Sequence, residues 1–148
     1  MRYLLDTGIL VRILHRADPL HEQIRGAIRR LNEQGHTFVT TRQNIAEFWN
    51  VCTRPTSARG GFDLSAPVTA HRLRILERFI SVLGEPQSAY TRWKSLVLHH
   101  NVLGRQVHDA RIVAVMAAYR IKRIVTLNEP DFARFPEITA FTPQAVYA

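Results

Sequence analysis

Apolar residues fall along the chain in two rhythms: short dense runs, and longer stretches at helical spacing. Tyr3-Leu4-Leu5 is a dense run that ends on Asp6-Thr7-Gly8 and predicts a buried first strand. Asp18-Pro19 offers a capping aspartate and a first-turn proline; Leu20, Ile24, Ile28 and Leu31 then keep helical spacing until Gly35. His36 to Thr40 is short and β-branched, a second strand. Thr41 or Asn44 caps the next helix, which turns Ile45, Phe48, Trp49 and Val51-Cys52 toward a core. Arg54 to Ser65 is a Gly/Ser/Arg-rich loop, and Ser65 and Pro67 open a helix to about Arg78. Phe79 to Leu83 is a third strand closed by Gly84. Gln87 to about Val102 is an amphipathic helix with Tyr90, Trp93 and Val97 on one face.

The stretch from Gln106 to Phe132 organises the rest. It reads as a buried helix, a tight connection, a short apolar strand, and a polar turn holding Asn128, Glu129 and Asp131. Ile138 to Phe141 is a last, edge-like strand before Pro143. Strands alternating with helices predict a three-layer α/β/α sandwich with a mostly parallel sheet, one domain over residues 1–148.

This order of elements gathers acids. Asp6 stands at the carboxyl end of the first strand, and Glu47 lies in the helix after the second. At 1.5 Å per residue Glu47 is about 9 Å beyond Thr41, within side-chain reach of the same rim. Asp109 sits near the start of its helix, and that helix runs antiparallel to the strand it feeds, so Asp109 lies at the same edge. Asp131 follows the fourth strand. Each acid has a plain structural reading, as a turn residue, an acid at a helix start or an exposed helix position. Four together repel one another unless a cation or shared protons neutralise them. An all-oxygen set without a Cys/His pattern suits Mg²⁺ or Mn²⁺ rather than zinc.

Charge sharpens the picture. Twenty basic residues against twelve acidic ones leave +8, and only Lys94 and Lys122 among the bases are lysines. Guanidinium forks suit phosphate partners, and basic surroundings would hold a polyanion that the acids alone would repel. A merely solvated, arginine-biased surface is the plain alternative. Ile112 to Tyr119, the longest uninterrupted apolar run, is too short to cross a bilayer. Asp6 comes too early for a secretory signal, and the lone Cys52 fits a reducing compartment, so the cytoplasm is expected and a membrane role is not.

LLDTGIL near the start, NIAEFWNV, GRQVHDARIVAVM and TLNEPDFARFPEI, in that order, resemble the PIN-domain proteins, and most closely the VapC-type toxins of bacterial toxin–antitoxin pairs. The resemblance spans nearly the whole chain. It implies strand order 3-2-1-4-5 and a Mg²⁺- or Mn²⁺-dependent endoribonuclease. It also implies a homodimer inhibited by a small antitoxin whose tail covers the active site. The family's acids fall on Asp6, Glu47, Asp109 and Asp131. Asn128 stands where many relatives carry an acid, so Asn128, Glu129 and Asp131 compete for the fourth place. Asp131 is the choice here, with Glu129 pointing outward and Asn128 as a neighbouring neutral oxygen. Thr126 matches a polar position lining the pocket in relatives, and Thr7 and Asn44 are placed to orient carboxylates by hydrogen bonds.

Other residues are read as structural. His108 points about 100° away from Asp109 on its helix and is a rim residue. His99-His100 has no partner set for zinc and is placed on the surface. Trp49 and Trp93 keep helical spacing with apolar neighbours, as core or dimer contacts. Two competing functions remain. A PIN-like module that binds RNA without cutting it is opposed by the intact acid set. A phosphohydrolase of the haloacid dehalogenase type would need DxDxT after the first strand, where this chain reads DTGIL.

Overall fold

In the computed structural model, which describes residues 1–147, neighbouring residues of each dense apolar run face opposite sides of one sheet. Its strands are β1 (Arg2–Leu5), β2 (Thr37–Thr41), β3 (Ile80–Leu83), β4 (Arg123–Val125) and β5 (Thr139–Phe141). They lie in the order β3-β2-β1-β4-β5, and every pairing is parallel. The expected order is therefore observed. Leu4 of the central strand aligns with Val39 on one side and Ile124 on the other. All three are buried, as are their neighbours Leu5, Phe38 and Val125 on the opposite face, so the sheet is covered on both sides as parallel strands require.

Among the described residues eight α-helices cover the faces: α1 (Thr7–Arg12), α2 (His21–Glu33), α3 (Arg42–Thr53), α4 (Ala66–Leu76), α5 (Gln87–His99), α6 (Val107–Ala118), α7 (Glu129–Phe132) and α8 (Pro143–Tyr147). Tyr3, Leu5, Phe38, Ile80 and Val125 face α1 to α4, meeting Ile9, Leu10, Ile24, Phe48 and Leu76. Leu4, Val39, Leu83 and Ile124 face α5 and α6, meeting Leu96, Ile112, Val113 and Met116, with Phe132 and Phe135 closing that side. Two buried layers on one sheet make the three-layer sandwich. Helix α6 is apolar nearly all round, with six buried residues from Ala110 to Met116 interrupted only at Arg111. Such a helix is buried between neighbours, which fixes where its first turn points.

Three expectations are corrected. Asp18-Pro19 does not start α2, which begins at His21. The Asp18 carboxylate accepts from the Leu20 N–H at 2.9 Å and pairs with Arg12 at 3.2 Å, so it shapes the preceding turn and ties it to α1. The helix after β3 stops at His99, and a one-turn 3₁₀ segment, Gly104–Gln106, intervenes before α6. His100 is not a free surface group: it pairs with Glu137 at 3.3 Å and its ring meets Phe135 edge-on. Helices α1 and α8 were not expected at all. Gly35, as expected, stops α2, in the left-handed region with φ of +86°.

Candidate active site

Parallel strands all end at the same edge, and four acids reach that edge from four elements. Asp6 is the N-cap of α1, with extended backbone and a side chain that accepts from Thr7 N–H. Its backbone N–H is held by the Val125 carbonyl at 3.0 Å, so β4 fixes it from behind. Both carboxylate oxygens are engaged. Oδ1 accepts from Thr7 N–H at 2.9 Å and Asn44 Nδ2 at 3.1 Å, and Oδ2 accepts from Thr126 Oγ1 at 2.7 Å. Thr126 is buried, and its hydroxyl oxygen also accepts from the Asn128 N–H at 3.0 Å. Asn128 contributes its backbone there while its side chain is exposed.

Glu47 is held as firmly. Thr7 Oγ1 donates to its Oε2 at 2.8 Å, and Gln43 Nε2 donates to its Oε1 at 3.2 Å. Thr41 caps α3 by accepting from the Asn44 N–H. With that end of the helix closed by Thr41, the Asn44 side chain is left to bridge Asp6 and Thr7. Its Oδ1 accepts from the Thr41 hydroxyl at 2.7 Å, which fixes the amide with its nitrogen toward the acids.

Asp109 and Asp131 form the looser half. Both are half-buried, and among the described residues neither carboxylate has a hydrogen-bond partner. Asp131 lies in α7, behind the buried Phe132, while Glu129 is exposed. Burial pushes the Asp109 carboxyl up to about 7 from its ordinary 3.8, and the carboxylates of Asp131, Asp6 and Glu47 add to the push. Arg134 opposes it. Asp6 is also raised: burial dominates and Glu47 adds to it, against the bonds from Thr126, Thr7 and Asn44. Asp109 therefore shares its field with all three other acids, and Asp131 acts on it most strongly among them.

Among the described residues no three Asp, Glu, His or Cys side chains close into a ready cage for a metal. A hard divalent cation does not need one. Mg²⁺ keeps several waters and takes only one or two carboxylates directly, and all four acids offer oxygen. Two anchored carboxylates face two without bonds, and their mutual repulsion is what a cation would relieve. The donor set fits Mg²⁺ or Mn²⁺.

Two residues here were not read from the sequence. Gln43 lies one helical turn before Glu47, a spacing that allows contact, but its second bond, to the His108 carbonyl at 2.9 Å, crosses 65 positions. Arg134 tempers Asp109 and donates to Gln106 Oε1. Trp93 donates from Nε1 to the Val107 carbonyl at 2.8 Å, bracing the first turn of α6. His108 is exposed. A cavity of about 730 Å³ lies elsewhere, past the end of α1 between α2 and α4. It holds no carboxylate and does not take part in the acid chemistry.

The family model of the PIN domain matches residues 3–138. No curated protein matches the chain. Solved structures do. VapBC-1 of nontypeable Haemophilus influenzae shares 15% identity over 97% of this chain and 99% of that one, with a TM-score of 0.70. VapBC2 of Rickettsia felis, bound to a promoter DNA fragment, shares 16% over 96% and 98%, with a TM-score of 0.69. VapC20 of Mycobacterium tuberculosis, described as a toxin that cleaves the sarcin-ricin loop, shares 19% over 82% and 86%, with a TM-score of 0.56. At these identities the likeness is one of fold.

Proposed function

The chain belongs to the PIN domain family, and from that premise we propose that it is a Mg²⁺- or Mn²⁺-dependent endoribonuclease, the toxin of a toxin–antitoxin pair. The observation that carries this reading is the acid cluster itself, in which Asp109 is pushed up to about 7 by burial and by its three carboxylate neighbours. When bound, a divalent cation supplies positive charge to the phosphodiester oxygens and lowers the pKa of an attacking water. The rest falls to the chain's own residues. Asp6 and Glu47, bonded on both oxygens, are the fixed side of the site. Asp109 and Asp131 are the side open to a ligand. Arg134, beside Asp109, is placed to hold a strand phosphate against the acids.

The partner is read from surface chemistry. The cavity beyond α1 is floored by Ile13, Ile28 and Ile75 and walled by Arg16, Arg25, Arg29 and Arg72. An acidic amphipathic segment of an antitoxin complements it. A second copy of this chain is the proposed occupant of the α5 side, where Tyr90, Leu98 and Leu103 are exposed in sequence reach of one another. No helix among the described residues is long and apolar enough to cross a membrane. The buried, free Cys52 suits the cytoplasm, where the pair would act.

The test uses end-labelled single-stranded RNA and DNA oligomers with purified protein, in Mn²⁺, in Mg²⁺ and in EDTA, beside Asp6→Asn. Internal cleavage of RNA that needs the cation and is absent from Asp6→Asn supports the reading. Tight RNA binding without cleavage in either cation would favour the binding module, and cleavage of DNA alone would reassign the substrate.

A further inference from the structure

Gln43 carries a contradiction. Its Nε2 makes two hydrogen bonds, to Glu47 Oε1 at 3.2 Å and to the His108 carbonyl at 2.9 Å. Its Oε1 is buried and, among the described residues, has no partner. Buried acceptors without partners are costly, and the ordinary remedy for an amide is to turn over. Here that remedy fails. Turned over, Oε1 would face a carboxylate oxygen and a carbonyl oxygen, both acceptors. The orientation is therefore dictated by what the nitrogen does.

The nitrogen ties two catalytic helices. Gln43 and Glu47 are one turn apart on α3, and His108 directly precedes Asp109 on α6. Among the described residues this is the one side-chain hydrogen bond that joins α3 to α6. The His108 carbonyl belongs to the first turn of a buried helix, so it is the fixed end, and Glu47 is the group being aimed. Thr7 holds the other Glu47 oxygen from α1. An apolar residue at position 43 would leave Glu47 Oε1 without its donor, a lysine would compete with a cation, and a carboxylate would add a fifth negative charge. A neutral donor avoids all three.

We infer that Gln43 is a positioning residue, which uses the first turn of α6 as an anchor to aim the Glu47 carboxylate into the cation site. The inference rests on the metal-dependent reading above. Residues that orient a metal's ligands typically change its affinity by about 10–100-fold when removed. Isothermal titration of Mn²⁺ into the metal-free full chain tests it, with wild type, Gln43→Met, Glu47→Gln and the double variant compared. Melting in EDTA accompanies each titration. Gln43→Met should weaken Mn²⁺ at least about tenfold with an unchanged melting temperature, and add less than about twofold in the Glu47→Gln background. If Gln43→Met does not fold, Gln43→Asn, one methylene too short to reach both acceptors, takes its place with the same expectation. Wild-type affinity in the folded variant overturns the inference while leaving the metal reading intact. So does an equal loss with and without Glu47. Wild type that binds no Mn²⁺ removes the metal reading and this inference together.

Discussion

Replacing Asp109 by Asn should stabilise the metal-free protein, and only above acid pH. The carboxyl of Asp109 is raised from 3.8 to about 7 by burial and by Asp131, Asp6 and Glu47. Between those values the folded state holds a proton that the unfolded chain has released, so stability falls as pH rises from about 4 to about 7 and is then flat. At about 1.4 kcal/mol per pH unit the ceiling is about 4 kcal/mol. Asp109 is only half-buried, and solvent screening brings this down to about 2 kcal/mol. Asparagine keeps the shape of the protonated side chain and does not titrate. Its advantage should therefore be near zero at pH 4 and complete at pH 8, where about 2 kcal/mol corresponds to about 4–8 °C in a domain of this size. The assay is thermal melting of both proteins in EDTA from pH 4 to pH 8. Excess Mn²⁺ at pH 8 should reverse the order by raising the melting temperature of wild type more. An Asn variant that is no more stable at pH 8, or that gains most at pH 4, would refute the placing of Asp109 among unneutralised carboxylates.

Other consequences follow from single contacts. Thr126→Val keeps the shape but leaves Asp6 Oδ2 and the Asn128 N–H without their partner; urea unfolding should show a loss of about 1–3 kcal/mol, and cleavage should fall with it. Burial raises the Cys52 thiol to about 11, so native protein at pH 8 should resist iodoacetamide and react fully once unfolded in guanidinium. Asp131→Asn should weaken Mn²⁺ binding in a titration, whereas Glu129→Gln, at an exposed position, should not; the reverse pattern would move the fourth acid to Glu129.

The sheet was legible because its strands are dense apolar runs buried on both faces, and the gathering of acids was legible because Asp6 directly follows a strand, Asp109 lies in the first turn of a helix beside one, Asp131 comes in the turn after the fourth strand and Glu47 is within side-chain reach of the same rim. The strand order came with the family resemblance, since no spacing in the chain states which strands are neighbours. Helix α1 escaped because six residues, TGILVR, hold three consecutive buried positions and complete fewer than two turns, leaving no period to read. Helix α8 is shorter still, and it is held from outside: it lies on α2, where the Tyr147 ring fills the space that a side chain at Gly26 would need. The false start at Asp18-Pro19 has a tertiary cause. Arg12 claims that carboxylate, and nothing local in the sequence announces it. Gln43 was missed for the same kind of reason. Its nearness to Glu47 is a helical spacing, but its anchor on α6 exists only once the sheet has brought the two helices together.

Anomalous scattering from crystals soaked in Mn²⁺ tests the proposal that Asp6, Glu47, Asp109 and Asp131 make one cation site. The expected result is a peak at the carboxyl edge of the sheet, touching Asp109 or Asp131 directly and reaching Asp6 and Glu47 directly or through water, and absent from Asp109→Asn crystals soaked alongside. A peak at another site, or none among these four acids in crystals soaked to saturation, would rule that site out.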